Sequence, residues 1–322
     1  KLNGVTIYIR HLLPGGQYNN LSLTGVTGAD KNEAGCYIFN DLEAGDYEIT
    51  EAIPTGFYQT YPNPNYFTQT IQSGSEINLY FLNTEHRTIS GAKYNDLNGN
   101  GSRDAGEPGL QNWTIFIDSN NNGILNGGER STLTDSSGNY EFTNLVSDEY
   151  RIAEVLQPDW FQSQPSVGHY DADVHTAVTS SGNDFGNYQN GHITVIKRVV
   201  KSDGITGVLD ESTNFGFNIE GEAGFNLTDD EDLTIDVKPG TYQVTEDEPD
   251  SKYEFVDCVA EYNGKETGVE ITRGEEVTLD SGDEVTVTCT NKQKVGDVTV
   301  TKFNDANGNK KFDQGEETLP DW

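Results

Sequence analysis

Two sets of residues have the types and spacing to do chemistry. The first is a run of oxygen donors. With Asp96 as position 1 of a twelve-residue loop, Asn98, Asn100, Ser102, Asp104 and Glu107 fall at positions 3, 5, 7, 9 and 12, and Gly101 falls at position 6. In this D-x-[DN]-x-[DN]-G-x5-E spacing, alternate oxygens converge on one cation as the loop curls. The glycine allows the sharp turn, and the last glutamate closes the shell. The chemistry expected is calcium binding. Asp118, Asn120, Asn122, Asn126 and Glu129 repeat the pattern around Gly123. Asp305, Asn307, Asn309, Asp313 and Glu316 repeat it again, but Lys310 stands where glycine is expected, at a left-handed cost of about 1–2 kcal/mol. A single such loop reads equally as a polar Asn-Gly turn; two full matches and a near-match in one chain favour the cation. The first loop offers three carboxylates and the second two, which points to weak sites of structural rather than signalling use.

The second set combines an amine, a carboxyl and a carboxamide. By alternation, Ile193, Val195 and Lys197 share one strand face, as do Tyr242, Val244 and Glu246, and as do Val285, Val287, Cys289 and Asn291. Lysine, glutamate and asparagine thus end three apolar strand faces. Unpaired burial of such charges is costly, so burial lowers the lysine pKa and raises that of the glutamate. A neutral amine can then attack the asparagine carboxamide while a protonated glutamate polarises its carbonyl. The product is a Lys–Asn isopeptide bond, with loss of ammonia, in a single turnover driven by held proximity. Lys93, Glu154 and Asn187 form a second set, reached through Tyr150, Ile152 and Phe185. Glu51 and Asn83 are counterparts without a lysine, and Lys302 is a counterpart without the other two. The alternative is strand-end residues at the solvent rim, or a plain Lys–Glu ion pair.

These residues need short strands to hold them, and the chain has them in repeats. "GCYIFNDLEAGDYEITEAIPTGFYQT" (35–60) aligns with "GNYEFTNLVSDEYRIAEVLQPDWFQS" (138–163), and "VKPGTYQVTEDEPDSKYEF" (237–255) is a shorter echo. Period-two alternation makes these segments strands. Openings recur at "ISGAKYND" (89–96), "HITVIKRV" (192–199) and "DVTVTKFND" (297–305). The expected organisation is a tandem array: 1–86 without its first strand, 87–189 with the cation loops, 190–293, and 294–322 as the opening strand and loop of a further domain. Each complete unit suits a β-sandwich, so the fold class expected is all-β, a row of such sandwiches. "LNGVTIYI" at the start aligns with "LQNWTIFI" (110–117), and "LPDW" at the end reaches that same position. The chain has no initiator Met and begins mid-pattern, which reads as a trimmed piece of a longer precursor.

Composition limits the function classes. Of 322 residues, 33% are hydrophobic, yet Tyr (16) and Phe (14) are plentiful, so the chain is expected to fold. A formal net charge of -33 argues against nucleic acid and anionic membrane as partners and suits a solvated surface that collects divalent cations. No apolar run is long enough to span a bilayer.

The second segment resembles the B-type repeats of serine-aspartate-repeat surface proteins, through "YNDLNGNGSRDAGEPGL", "TDSSGNYEFTNL" and "YRIAEVLQPDW". The third resembles collagen-adhesin B-like and SpaA-type pilin domains, through "ITVIK", "PGTYQVTE" and "VTCTN". The resemblance implies prealbumin- or immunoglobulin-like β-sandwich domains, extracellular display at the cell surface, calcium-rigidified stalks and self-formed bonds joining Lys197 to Asn291 beside Glu246 and Lys93 to Asn187 beside Glu154. The third segment departs by lacking the Asp/Asn loop. The first departs because Arg10 stands where Asp118 stands.

Cys258 and Cys289 lie in neighbouring strand patterns; a disulfide is expected, with two buried thiols as the alternative. Asn20, Asn100, Asn112 and Asn226 sit in N-x-[ST] sequons. Phe57, Tyr58, Tyr61, Trp160 and Phe161 either pack internally or form a sugar platform. The leading expectation is a structural or adhesive rod, not an enzyme, with neighbouring copies or further domains, or a host protein or polysaccharide, as partners. Strand complementation would set Lys302 against Glu51 and Asn83 of a neighbour, although "LPDW" and "LNGV" would compete for one position. The alternative is a spacer or carbohydrate-binding region of a secreted enzyme.

Overall fold

Runs that alternate apolar and polar residues become strands wherever a partner strand lies beside them, and the chain is all-β. The computed structural model describes residues 1–28, 34–202, 212–263, 265–271 and 276–319; for Asn20, Leu21 and 265–271 it describes backbone alone. The Asn20 side chain of the first sequon and residues 320–322 of "LPDW" lie outside the described residues. Two compact units divide the chain, residues 1–189 and 190–322.

In the first unit, β1 (Thr6–Leu13), β2 (Gln17–Val26), β3 (Gly45–Glu51) and, further along, β5 (Tyr66–Ile71) form one sheet in the order β2-β1-β3-β5. Between β3 and β5 comes β4 (Phe57–Tyr61), which pairs only with β6 (Leu82–Glu85) in a two-stranded ribbon. Val5, Ile7, Ile9, Tyr47 and Ile49 are the buried core between them. One expected strand is missing, and the segment that carries Asn83 is a short one. "CYIFN" (36–40) carries the pattern of a strand but forms none, and "INLYFLN" (77–83) is a strand only from Leu82.

Residues 87–188 show what those segments lack. The strands are β7 (Arg87–Asn95), β8 (Thr114–Ile117), β9 (Ser131–Leu133), β10 (Asn139–Leu145), β11 (Glu149–Glu154), β12 (Phe161–Gln164), β13 (His169–Asp173), β14 (Thr179–Ser180) and β15 (Phe185–Tyr188). One sheet runs β13-β11-β8-β9, the counterpart of β5-β3-β1-β2. The other runs β10-β7-β15-β12, with β14 also on β7. There β7 is the middle strand that gives both β10 and β15 their ladder. Residues 36–40 are the sequence copy of β10, and β6 is the counterpart of β15. Among the described residues no counterpart of β7 lies beside them, so the first forms no ladder and the second is curtailed. The glycine shared by "GCYIF" and "GNYEF" has a local reason: Gly138 sits at φ +81, and a Cβ there would stand 2.1 Å from the Lys93 carbonyl oxygen.

The second unit holds β16 (Gly191–Val200), β17 (Phe215–Ile219), β18 (Phe225–Leu227), β19 (Asp232–Val237), β20 (Gly240–Glu246), β21 (Tyr253–Tyr262), β22 (Lys265–Ile271), β23 (Glu276–Leu279) and β24 (Glu284–Gln293). Its sheets run β19-β16-β24-β21-β22 and β18-β17-β20-β23. Their facing sides enclose a core that includes Ile193, Val195, Phe217, Val244, Val285 and Val287. After it, the expected strand at 297–303 does not form. Only Phe303 makes a bridge, to Thr318, and Val298 and Val300 are 87% and 85% exposed. The reason is the same as for residues 36–40: no described strand lies alongside to take their backbone groups.

Candidate isopeptide and cation sites

In the second unit the first and last strands, β16 and β24, pair in parallel, with Lys197 opposite Cys289 and Asn291 opposite Val199. Glu246 ends β20 on the facing sheet, opposite Phe217. Lys197 and Asn291 are fully buried, and Glu246 nearly so. Lys197 Nζ lies 3.3 Å from Glu246 Oε2 and donates to the Cys289 carbonyl at 3.2 Å. Asn291 Nδ2 donates to Glu246 Oε1 at 2.5 Å. One carboxyl therefore bridges the amine and the carboxamide. The Asn291 carbonyl oxygen is buried with no hydrogen-bond partner among the described residues. Burial lowers the Lys197 pKa to about 8, against the opposing pull of Glu246.

Residues 87–188 of the first unit repeat the amine–carboxyl half of this geometry. Parallel pairing of β7 with β15 sets Lys93 opposite Phe185 and Asn187 opposite Asn95. Lys93 Nζ is 3.2 Å from Glu154 Oε2, with both side chains buried. Burial lowers the Lys93 pKa to about 8 and raises that of Glu154, whose carboxyl Lys93 pulls back down. Asn187 Oδ1 and Nδ2 are both buried without a hydrogen-bond partner among the described residues, whereas Asn291 Nδ2 donates to its glutamate. The rim reading of these six residues does not fit their burial.

An aromatic face beneath each lysine escaped the sequence reading. Lys93 Nζ lies 4.5 Å from the Trp113 ring centre, and Lys197 Nζ lies 4.5 Å from that of Phe215. The signal was present in the pattern: Trp113 precedes Ile115 by two residues and Phe215 precedes Phe217 by two, so each faces the core. These rings hold water away from the amine while their π-faces favour its charged form.

Glu51 and Asn83 are brought together without a lysine. Asn83 Nδ2 donates to Glu51 Oε2 at 3.0 Å, and burial raises the Glu51 pKa. Lys302 is exposed in the other unit. Where the second loop has Asp118, Arg10 pairs instead with Glu48 and covers the Tyr18 ring at 4.3 Å.

The three loops share one hydrogen-bond plan. Asp96 accepts from the backbone N–H of Asn100 (3.0 Å) and Gly101 (2.7 Å). Asp118 accepts from Asn122 and Gly123 (3.0 and 2.8 Å), and Asp305 from Asn309 and Lys310 (3.0 and 2.7 Å). Asn98 and Asn100 donate to Asp104, Asn120 and Asn122 to Asn126, and Asn307 and Asn309 to Asp313. The closing Glu107, Glu129 and Glu316 each accept the backbone N–H three residues before them. Ser102 N–H caps Asn100 at 2.7 Å. The position-6 backbone is left-handed in all three, at φ +77, +72 and +67 for Gly101, Gly123 and Lys310. Asp96, Glu107 and Asp118 are buried. The donors are hard oxygens of a type and spacing that fit calcium.

Cys258 and Cys289, directly opposite in the β21–β24 pairing, form a disulfide. Its sulfurs lie within 4.8 Å of a Glu246 carboxyl oxygen. Cys36 is half-buried and outside that bridge. The aromatics named above pack within the first unit: Trp160 edge-on to Trp113, Phe161 on Tyr188, Tyr61 on Phe67 and Tyr58 on His86. Tyr58 also accepts from the Ser147 N–H at 3.0 Å. Phe57 is half-buried in β4.

Residues 87–193 match the family described as the SdrD B-like domain. Serine-aspartate repeat-containing protein F of Staphylococcus epidermidis is 25% identical over 253 residues, covering 72% of this chain and 14% of that protein. Serine-aspartate repeat-containing protein D of Staphylococcus aureus (strain MW2) is 24% identical over 324 residues, covering 97% of this chain and 19% of that protein. A solved streptococcal ancillary pilin is 14% identical, with 91% of this chain and 93% of that one covered at a TM-score of 0.29, too low to carry an argument. The chain thus spans under a fifth of the length of these curated relatives. The class is that of tandem all-β proteins of the cell surface. Within it, residues 87–193 are similar to the SdrD B-like domain.

Proposed function

We propose that this chain is a load-bearing section of a surface rod, in which Lys–Asn isopeptide bonds tie first strands to last strands and calcium fixes the loops. The observation that carries the reading is the repeated burial of an amine against a carboxyl with a buried carboxamide on the paired last strand, all three in contact in the second unit. Proton transfer from Lys197 to Glu246 yields a neutral amine and a neutral acid. Nζ attacks the Asn291 Cγ while Glu246 donates to its oxygen. The C–Nδ2 bond then breaks, and ammonia leaves with the proton that Nζ gives up. Lys93, Glu154 and Asn187 react in the same way. Because β16 and β24 are adjacent and parallel, force pulling their strands apart would meet a covalent bond.

Asp96, Asn98, Asn100, Ser102, Asp104 and Glu107 would hold one calcium ion, and the corresponding residues of the other two loops would hold one each. Bound calcium supplies charge neutralisation that stiffens the connection following β7. A strand of the 297–303 pattern would complete the first domain beside β6 by strand complementation. Partners at the rod's surface would be neighbouring domains, host proteins or polysaccharide. Intact mass measures the central claim: one ammonia is lost per bond, and the loss vanishes domain by domain in Lys197→Ala and Lys93→Ala. An unchanged mass in the parent chain would remove the mechanism.

A further inference from the structure

Lys197, Cys289 and Cys258 lie in one row across the five-stranded sheet of the second unit. Lys197 on β16 is opposite Cys289 on β24, and Cys289 is opposite Cys258 on β21. All three are buried, and both cysteines belong to the core. The Cys258–Cys289 bridge therefore flanks the amine, which donates to the Cys289 carbonyl at 3.2 Å. Its sulfurs also lie within 4.8 Å of a carboxyl oxygen of Glu246, the group that bridges Lys197 and Asn291. The centre in residues 87–188 has no sulfur: Phe185 holds the place of Cys289 opposite Lys93, and the third cysteine of the chain is Cys36. Bonded sulfurs carry no proton, whereas two thiols carry two. A thiol is a weak donor, and a hydrogen bond given to a carboxylate favours its charged form. Two separate thiols also need more room than a bonded pair, and in a close-packed core Glu246 stands beside them. Reduction would thus hold Glu246 ionised and Lys197 charged, the state that cannot react.

We propose that the Cys258–Cys289 disulfide licenses the Lys197–Asn291 reaction: its formation removes two S–H donors from beside Glu246, so that this carboxyl takes its proton from the amine. The cysteines are positioning residues, and neither sulfur enters the new bond. The inference rests on the isopeptide reading above and adds to it an order of events and a redox condition. The first step is exchange with a small-molecule disulfide. The two cysteine thiols give up two electrons and two protons, their S–S bond forms, and the reagent leaves as two thiols. The isopeptide step then follows with its own loss of ammonia. This order suits a protein of the cell surface. Thiols stay reduced inside the cell and pair in an oxidising exterior, so the tie between β16 and β24 closes after the chain has left. A chain already sealed between Lys197 and Asn291 could not be drawn out straight for export. Once both bonds are made, β16, β24 and β21 are stapled in succession through Asn291 and Cys289 of the middle strand.

The test makes the 322-residue chain by cell-free synthesis, so that it starts unreacted, in either dithiothreitol or oxidised glutathione. Mass spectrometry of its peptides follows the Lys197–Asn291 and Lys93–Asn187 bonds over time, each read as the loss of one ammonia. The expected result is a Lys197–Asn291 bond that forms about 10-fold more slowly in dithiothreitol, the low end of the factor for a hydrogen bond to a charged group. The Lys93–Asn187 bond should form at one rate in both media. The double variant Cys258→Ala, Cys289→Ala has no S–H donor and should outpace the parent in dithiothreitol, although it lacks the bridge. Cys258→Ser, Cys289→Ser keeps hydroxyl donors and should stay slow in both media. Two variants equally slow would make the bridge a purely structural tie and overturn the inference. Equal Lys197–Asn291 rates for the parent in the two media also overturn it, as does equal slowing of both bonds; that comparison needs no variant to fold. If neither bond forms in either medium, the isopeptide reading fails and this inference with it. A Lys93–Asn187 bond beside a Lys197–Asn291 bond indifferent to reductant sinks this inference alone.

Discussion

Lys197 is not directly opposite Asn291; the asparagine lies two residues further along β24, opposite Val199. The offset has a simple cause. A lysine side chain on a strand leans along it, so its amine reaches past its own register partner. The same offset recurs between Lys93 and Asn187. With the carboxyl placed from the facing sheet, the three groups meet inside the sandwich rather than at its edge.

Glu246→Ala removes the proton relay and leaves Lys197 buried beside an unreacted Asn291. Two effects are expected together. The ammonia loss assigned to that domain disappears, and thermal unfolding of the second unit falls by an amount equivalent to about 3–5 kcal/mol, the usual cost of stripping a buried charge of its partner. Intact mass and calorimetry read the two separately. A domain that keeps its mass loss in Glu246→Ala would show that the carboxyl is not the relay.

Much of this site was legible in the sequence because face parity is a local property: period-two alternation alone placed Lys93, Lys197, Glu154, Glu246, Asn187 and Asn291 on core faces. Loop chemistry is local too, and the three oxygen-donor runs share one hydrogen-bond plan. Long-range pairing is what one sequence does not carry. "CYIFN" and "DVTVTKF" have the right alternation and are not strands, because a strand exists only beside a partner. Trp113 and Phe215 were readable as core residues, but their position under an amine depends on the packing of the two sheets.

The lowered lysine pKa has a sign that can be measured in a chain unable to react. In Asn291→Ala the amine stays free of the bond and remains buried among Glu246, Asp229 and Asp257, the groups that pull its pKa back up. Folded, Lys197 titrates near pH 8; unfolded, near its ordinary 10.5. Between those values the unfolded chain binds more protons, so stability rises with pH across that window. Unfolding measured from pH 8 to 10, against an Asn291→Ala, Lys197→Met reference that cancels all other groups, should show a positive difference slope. In the parent chain, bond formation after refolding should quicken as pH rises toward 8 and level off above it. A flat profile for both would mean the amine is not the titrating group.

Trp113→Ala opens a cavity under Lys93 and costs about 3–5 kcal/mol, the range for deleting a large buried ring. Water entering there also returns the Lys93 pKa toward its ordinary value, so bond formation in that domain slows at neutral pH. Trp113→Phe keeps an aromatic face of the kind Phe215 provides and should recover the rate while leaving some of the stability loss. If the rate follows stability in both variants, the ring's role is packing alone.

Lys310 offers the sharpest test of the loops. It holds φ +67 where Gly101 and Gly123 hold +77 and +72, a backbone that a side chain enters at a cost of about 1–2 kcal/mol. In Lys310→Gly that cost is absent, and a nearby positive charge is removed from the cation's position. Calcium affinity of the 305–316 loop should rise by about 5- to 30-fold, the factor equivalent to that strain. Asp305→Ala removes the carboxylate that accepts from Asn309 and Lys310 and should abolish binding at this loop while leaving Asp96 and Asp118 loaded. Isothermal titration of the parent and the two variants separates the sites. Chelation should lower the melting temperature of the first unit, since Asp96 follows directly on β7 and its N–H donates to the Asn187 carbonyl at 2.8 Å. An unchanged melting temperature, with no binding heat in the parent or in Lys310→Gly, would leave all three loops as polar turns.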